Sequence, residues 1–177
     1  IMGAVQDTIS DVTKKAVGIL PNEQYFNAGL LLIDLKKWRT HGIEEKCLTF
    51  IEEKKGAVIH HDQGVLNGVF RNRWYRLPLK KNVMTIHFLF DTDWIMRYFD
   101  EHAEFYSENQ ILEATEHPVI LHYTPSFTSR PWFKDCKHPR KNLYWMNLAK
   151  TPWREVKPES SKDKWYVKLI NWIYRVF

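Results

Sequence analysis

The sequence predicts an α/β fold, a mixed sheet flanked by helices in one compact unit. Three observations predict it. Residues 29–35 (GLLLIDL) and 118–123 (PVILHY) are short apolar runs, the pattern of strands buried on both faces. After the first run, Ile43, Cys47, Phe50 and Ile51 recur at helical spacing, so strand and helix alternate. At 177 residues and 44% apolar composition, the chain can bury one sizeable core and is short for two.

From the N-terminus, residues 2–5 (MGAV) read as a strand that ends at Asp7. The helix carrying Ile43 to Ile51 is expected to stop at Gly56, because glycine accepts the left-handed backbone common at helix ends. Asp62 is expected to cap a short helix that turns Val65, Leu66, Val69 and Phe70 inward. Asp91-Thr92-Asp93 reads as a helix-opening turn. His122 falls at the C-terminal end of the 118–123 strand, and open α/β sheets bind ligands at that edge. The sequence shows no internal repeat and no low-complexity stretch. One linker, residues 157–161 (KPESS), divides a body of residues 1–156 from a tail of residues 157–177.

Composition narrows the function classes. Eight Trp, eight Tyr and ten Phe are many for this length, and large rings gather where proteins grip sugars, membranes or other proteins. Cys47 and Cys136 show neither paired nor metal-ligand spacing, so a disulfide framework and a zinc site are not expected, and a reducing, cytoplasmic setting is. No apolar run approaches the ~18 residues of a spanning helix, and residues 1–5 lack the basic start of a signal peptide. The net charge of +5 is concentrated at the end: residues 128–177 carry 12 Lys or Arg against 4 Asp or Glu. There, Trp165, Leu169, Trp172, Ile173 and Val176 form an apolar helical stripe among Lys162, Lys164, Lys168 and Arg175. That pattern suits a basic aromatic helix lying peripherally on an anionic, cytoplasmic membrane face, and equally a last helix docked on the body. Nucleic acid is not an expected partner, since the basic residues sit among large aliphatics without a recognition motif.

Three stretches carry chemistry. In Tyr25-Phe26-Asn27-Ala28-Gly29, an amide and two small residues precede an apolar run, so a ligand can approach the backbone while Asn27 bonds to it. In the stretch from His61 to Asn67 (HDQGVLN), Asp62 and Gln63 open a helix and can point into a cleft or merely cap it. From His122 to Trp132, a histidine at a strand end precedes a polar loop and Arg130. An imidazole ligates divalent cations and a guanidinium holds phosphate in bidentate fashion, so this loop is a candidate for a metal-diphosphate, with a structural histidine as the alternative.

The order and wording of these stretches resemble the bacterial family 8 glycosyltransferases, especially the lipooligosaccharide galactosyltransferases. The resemblance rests on YFNAGLLLIDLKKWR at residues 25–39, DQGVLNGVF at 62–70, and His122-Tyr123 followed by Arg130-Pro131-Trp132, with a weaker likeness from Cys136 to Trp153. It implies a GT-A fold, a UDP-sugar donor, Mn2+ or Mg2+ as the cation, and transfer with retention to a saccharide or glycolipid acceptor. By position, it implies that Asn27, Ala28 and Gly29 touch the donor, that Asp62 bonds sugar hydroxyls, and that Gln63 lies against the reacting face. It further implies that His122 ligates the metal, that Arg130 stands where the family has a lysine on the diphosphate, and that Asp7 faces the acceptor. The family's metal-binding Asp-x-Asp pair lies upstream of the Tyr-Phe-Asn-Ala-Gly motif. The chain is therefore expected to be the C-terminal portion of the catalytic domain and inactive alone.

Because Gln63 is an amide and a poor nucleophile, front-side attack with the departing phosphate taking the proton is favoured over a covalent intermediate. Two other classes are weighed against this one. The His61-Asp62 dipeptide occurs in metal-dependent phosphohydrolases, but those are all-helical. A membrane-surface or carbohydrate-binding module without catalysis fits the aromatic content and the tail.

Overall fold

The computed structural model describes residues 1–125 and 127–160; the basic aromatic tail of residues 162–177 lies outside the described residues, as does Ser126. Along the chain run β1 (Met2–Asp7), α1 (Asp11–Ala16), β2 (Tyr25–Ile33), α2 (Leu35–Thr40), α3 (Ile43–Glu53) and α4 (His61–Val69). They are followed by β3 (Tyr75–Arg76), β4 (Val83–Met84), α5 (Thr92–Phe99), α6 (Glu108–Glu116), β5 (Leu121–His122) and α7 (Lys141–Leu148). The chain divides into two compact units, residues 1–83 with 91–121, and residues 84–90 with 122 onward.

In the first unit a three-stranded sheet has the order β2-β1-β3, with β1 antiparallel to β2 and parallel to β3, so the sheet is mixed as expected. Met2 and Ala4 on β1, Phe26 on β2, Ile43 on α3, and Val65, Val69 and Phe70 on and after α4 form the main core. Burying each of the larger of these side chains stabilises the fold by about 1.5–3 kcal/mol. Val17, Ile19 and Tyr25 form a smaller cluster beside it. A buried Lys14–Glu101 ion pair ties α1 to the turn after α5, and Lys14 also donates to the Pro21 carbonyl.

Two expected strands differ from the sequence reading. The 29–35 run is not a strand buried on both faces: β2 begins at Tyr25, Leu32 is 66% exposed, and Leu35 already belongs to α2. The reason is topological, because among the described residues β2 is an edge strand whose second half has one covered face. The 118–123 run gives only the two-residue β5, with Val119 and Ile120 exposed. The helix expectations hold better. Gly56 adopts φ 77° and donates to the Ile51 carbonyl, closing α3 in the left-handed manner. Asp91 caps α5 by accepting the Trp94 N–H at 2.7 Å, so Asp91-Thr92-Asp93 is a helix opening.

Candidate functional site

The Asn27 stretch owes its shape to an irregularity in the β1–β2 ladder. Ala4 pairs with Leu31 but Val5 pairs with Asn27, so Ala28, Gly29 and Leu30 have no partner on β1. Such a bulge releases main-chain groups that a regular ladder would consume and re-aims neighbouring side chains. The freed N–H of Ala28 donates to Gln63 Oε1 at 3.0 Å, and that of Gly29 donates to Asn27 Oδ1 at 2.9 Å.

Helix α4 brings Gln63 to this bulge through a sharp turn. His60 and His61 both have positive φ, 59° and 51°, a left-handed backbone that costs a non-glycine residue roughly 1–2 kcal/mol. The turn tucks the Ile59 carbonyl against Gly64 so closely that a Cβ there would lie 1.9 Å from the oxygen. Glycine directly after Gln63 is therefore a steric requirement. Asp62 is not the cap that the sequence suggested: α4 starts at His61, two residues earlier than that cap would place it, His60 occupies the cap position, and no side chain caps the helix. Asp62 sits in the first turn, exposed, where a negative charge is favoured by the helix dipole.

Asp7 joins the two stretches. Its Oδ2 accepts from Asn27 Nδ2 at 3.0 Å and from Gln63 Nε2 at 3.3 Å, and its Oδ1 accepts from the Thr8 N–H at 3.0 Å. Burial pushes the Asp7 carboxyl upward from its ordinary value, and these three donors oppose that shift. Asn27 is spoken for at both ends, since its Oδ1 also accepts from Asn82 Nδ2 at 2.9 Å. Beneath this network, Tyr25 is fully buried with its hydroxyl 3.4 Å from His60 Nδ1, and burial raises the phenol strongly.

Four sequence-predicted residues, Asp7, Asn27, Ala28 and Gln63, thus meet in one hydrogen-bonded group, with Gly29 beside them and the open carboxylate of Asp62 on the same helix as Gln63. Sequence reasoning gave no role to Asn82 or Asn67. Asn67 is 1% exposed and bonds to main-chain atoms of both Phe26 and Gln63. A signal existed, for an amide among Val65, Val69 and Phe70 on the inward face of a helix must have a specific partner.

His122 and Arg130 belong to the second unit. His122 is the last residue of β5, as expected, and its carbonyl accepts the Thr124 N–H at 2.8 Å. It belongs to no group of three or more potential metal ligands; among the described residues the one such group is Asp11, Asp100 and His102, in the first unit. A single imidazole does not make a cation site, so the described residues do not by themselves fit the expected metal. Arg130 is exposed with its guanidinium over the Trp132 ring, 5.4 Å from the centroid. Its strap is firmly held: Trp145 Nε1 donates to the Pro131 carbonyl at 3.0 Å, and Trp132 exchanges main-chain contact with Glu159, whose N–H donates to its carbonyl at 2.9 Å. The guanidinium is thus exposed on one side and rests on an aromatic face on the other. Glu159 lies in the expected linker and is bridged to Phe133.

The model of the family described as Glycosyl transferase family 8 matches residues 1–136. General stress protein A of Bacillus subtilis is 28% identical over 157 residues, covering 88% of this chain and 51% of that protein. The lipopolysaccharide 1,2-glucosyltransferase of Escherichia coli K12 is 29% identical over 168 residues, covering 91% of this chain and 46% of that protein. Among solved structures, the galactosyltransferase LgtC in complex with donor and acceptor sugar analogs superposes with a TM-score of 0.60 at 26% identity, covering 94% of this chain and 55% of that one. The chain spans about half the length of the curated relatives it matches.

Proposed function

The chain belongs to glycosyl transferase family 8 and has the α/β architecture of the GT-A fold, and from that premise we propose that the protein transfers a hexose from a UDP-sugar to a saccharide or lipid-linked glycan, with retention. The observation that carries the reading is the group formed by Asp7, Asn27, Ala28 and Gln63, which fixes two amides and a bulged backbone in one orientation. Preorganised dipoles of this kind stabilise a polar transition state without reorganising during the reaction.

In this reading Asn27, Ala28 and Gly29 lie along the donor, where small residues let it approach the bulge. The exposed Asp62 carboxylate accepts hydrogen bonds from sugar hydroxyls. Gln63, its carbonyl engaged by Ala28 and its amide by Asp7, lies against the anomeric region with a fixed tilt and is a poor nucleophile. Asp7, on the acceptor side, donates no electrons to the sugar while it holds both amides. Front-side attack, with the leaving phosphate accepting the proton of the acceptor hydroxyl, therefore remains the preferred course. Arg130 binds the diphosphate and offsets the charge that grows as UDP leaves. A divalent cation, manganese or magnesium, would add Lewis-acid support to that leaving group. His122 would offer it one ligand. The E. coli relative acts in lipopolysaccharide chemistry, which supports a glycolipid acceptor reached from the cytoplasmic side. No helix among the described residues is long and apolar enough to cross a membrane. The basic aromatic pattern of residues 162–177 supports peripheral attachment through them.

The test is a screen of UDP-sugars with the full-length protein and manganese, read as UDP release, for wild type and Arg130→Ala. Turnover of one donor, with KM for that donor raised about tenfold or more in Arg130→Ala, is expected from loss of a charge-assisted phosphate contact. Binding of free sugar without any nucleotide requirement, and no donor consumed, would overturn the reading in favour of a carbohydrate-binding module.

A further inference from the structure

Asn67 occupies the place where a missing strand neighbour would be. On β2, Phe26 is paired in register with Gln6 of β1, and among the described residues no strand lies on the other side of β2. The main-chain groups of Phe26 are met there by one side chain: Asn67 Oδ1 accepts the Phe26 N–H at 2.9 Å, and Asn67 Nδ2 donates to the Phe26 carbonyl at 2.9 Å. The same Nδ2 donates to the Gln63 carbonyl, also at 2.9 Å, one helical turn back along α4. Asn67 is 1% exposed, so water does not compete for these bonds.

The three anchor points are chosen by sequence adjacency to the site. Phe26 directly precedes Asn27 and the bulge, and Gln63 is itself the residue that reaches Ala28 and Asp7. An amide is the one small side chain that can satisfy an N–H and two carbonyls at once, with its oxygen on the first and its two N–H bonds on the others. Slippage of α4 along β2 by even part of a residue would break the bond between Gln63 and Ala28, which holds only over a narrow range of distance and angle.

We propose that Asn67 is a positioning residue for the transfer, a clamp that sets the register of α4 on β2 and so holds Gln63 and Asn27 in their working orientation without touching the sugar. The inference rests on the reading of Gln63 and Asn27 as donor-facing. It predicts a change in turnover with little change in donor affinity, because misplacement of about 1 Å can cost on the order of 10²-fold in rate while the diphosphate contact at Arg130 is untouched.

The experiment compares wild type, Asn67→Ala and Asn67→Asp in the full-length protein, with kcat and KM for the donor measured across pH, and amide hydrogen exchange followed at Phe26 and Ala28. Asn67→Ala is expected to lower kcat on the order of 10²-fold with KM within about twofold, and to lose protection at both amides. Asn67→Asp keeps the oxygen for the Phe26 N–H but sets a carboxylate against two carbonyls. Its kcat relative to wild type should rise as pH falls, since the protonated acid regains one donor. A merely structural role would instead lower the amount of folded enzyme with no such pH trend. Preserved Ala28 protection together with kcat within about twofold of wild type in Asn67→Ala would overturn the clamp. Absence of any donor turnover in the wild type would overturn the reading of the site, and with it the role in transfer, whereas the exchange data alone still decide whether Asn67 holds Phe26 and keeps Gln63 on Ala28.

Discussion

Gln63 and Ala28, 35 residues apart in sequence, are joined by a 3.0 Å hydrogen bond from the Ala28 N–H to Gln63 Oε1, while the other end of the same amide donates to Asp7 at 3.3 Å. The side chain is therefore read by a donor at one end and an acceptor at the other, and an amide meets both demands at every pH, whereas a carboxyl does so only when protonated.

Replacing Gln63 by glutamate keeps the oxygen for Ala28 and turns the other end into a second acceptor facing Asp7, whose carboxyl burial already pushes upward. Two carboxylates at this distance hold a proton between them in the folded protein and release it near the ordinary carboxylate range when unfolded. Because the folded pKa is raised, stability is present at low pH and lost as pH rises through it. Urea midpoints for Gln63→Glu should fall between pH 5 and pH 8 by more than those of wild type. Gln63→Ala should lose about 2 kcal/mol at both pH values, for the two side-chain hydrogen bonds it removes. Parallel pH profiles for the two variants would contradict the shared-acceptor geometry.

Gly64 and Gly68 lie one turn apart on α4, yet they should respond differently to alanine. At Gly64 the obstacle is the Ile59 main-chain oxygen, 1.9 Å from the new Cβ, whereas at Gly68 it is the Phe50 ring edge at 2.3 Å. A ring can rotate or shift; a carbonyl fixed by the strained His60–His61 turn cannot. Overpacking usually costs about 1–3 kcal/mol, and Gly64→Ala should exceed Gly68→Ala within or above that range in denaturant unfolding. It should also reduce donor turnover more than stability, since the strain falls on the residue next to Gln63. Equal destabilisation would mean that the turn relaxes.

The helices were legible because their cues are local: the 43, 47, 50 and 51 face and the Gly56 stop emerge from spacing and one conformational rule. The two apolar runs misled because a run of aliphatics does not say how many faces are covered. Leu32 sits on an edge strand and Leu35 already lies in α2, and a strand's place in the sheet and its end are long-range properties. Asp62 is not the cap because two successive histidines adopt left-handed backbone, which is uncommon for any residue but glycine even though His is among those enriched there, so the turn carries no clear local cue. The grouping of Asp7 with Asn27 and Gln63 was anticipated only through resemblance to a family. Their hydrogen bonds depend on a ladder irregularity that no spacing rule encodes.

Acid should loosen the second unit at its histidines. His87 and His138 are both buried, 4% and 2% exposed, and burial lowers each to about 4, helped at His138 by the charge of Arg140. His138 lies between the Phe88 and Tyr123 rings at 4.9 Å from each, with Nδ1 accepting the Arg140 N–H at 3.0 Å. Protonation would put charge among rings and turn that acceptor into a donor. Because the folded pKa is depressed, the unfolded chain binds the proton first, near its ordinary value of about 6.5. Stability is therefore full above that value and is lost as pH falls from there toward 4, by about 3 kcal/mol for each histidine whose shift is fully expressed. His138→Asn keeps an acceptor for the Arg140 N–H and removes one titrating group. Its urea stability should consequently fall less steeply than that of wild type between pH 6.5 and 4.5, even if it starts lower at neutral pH. Identical slopes for the two proteins would show that His138 takes up its proton without opening its aromatic site.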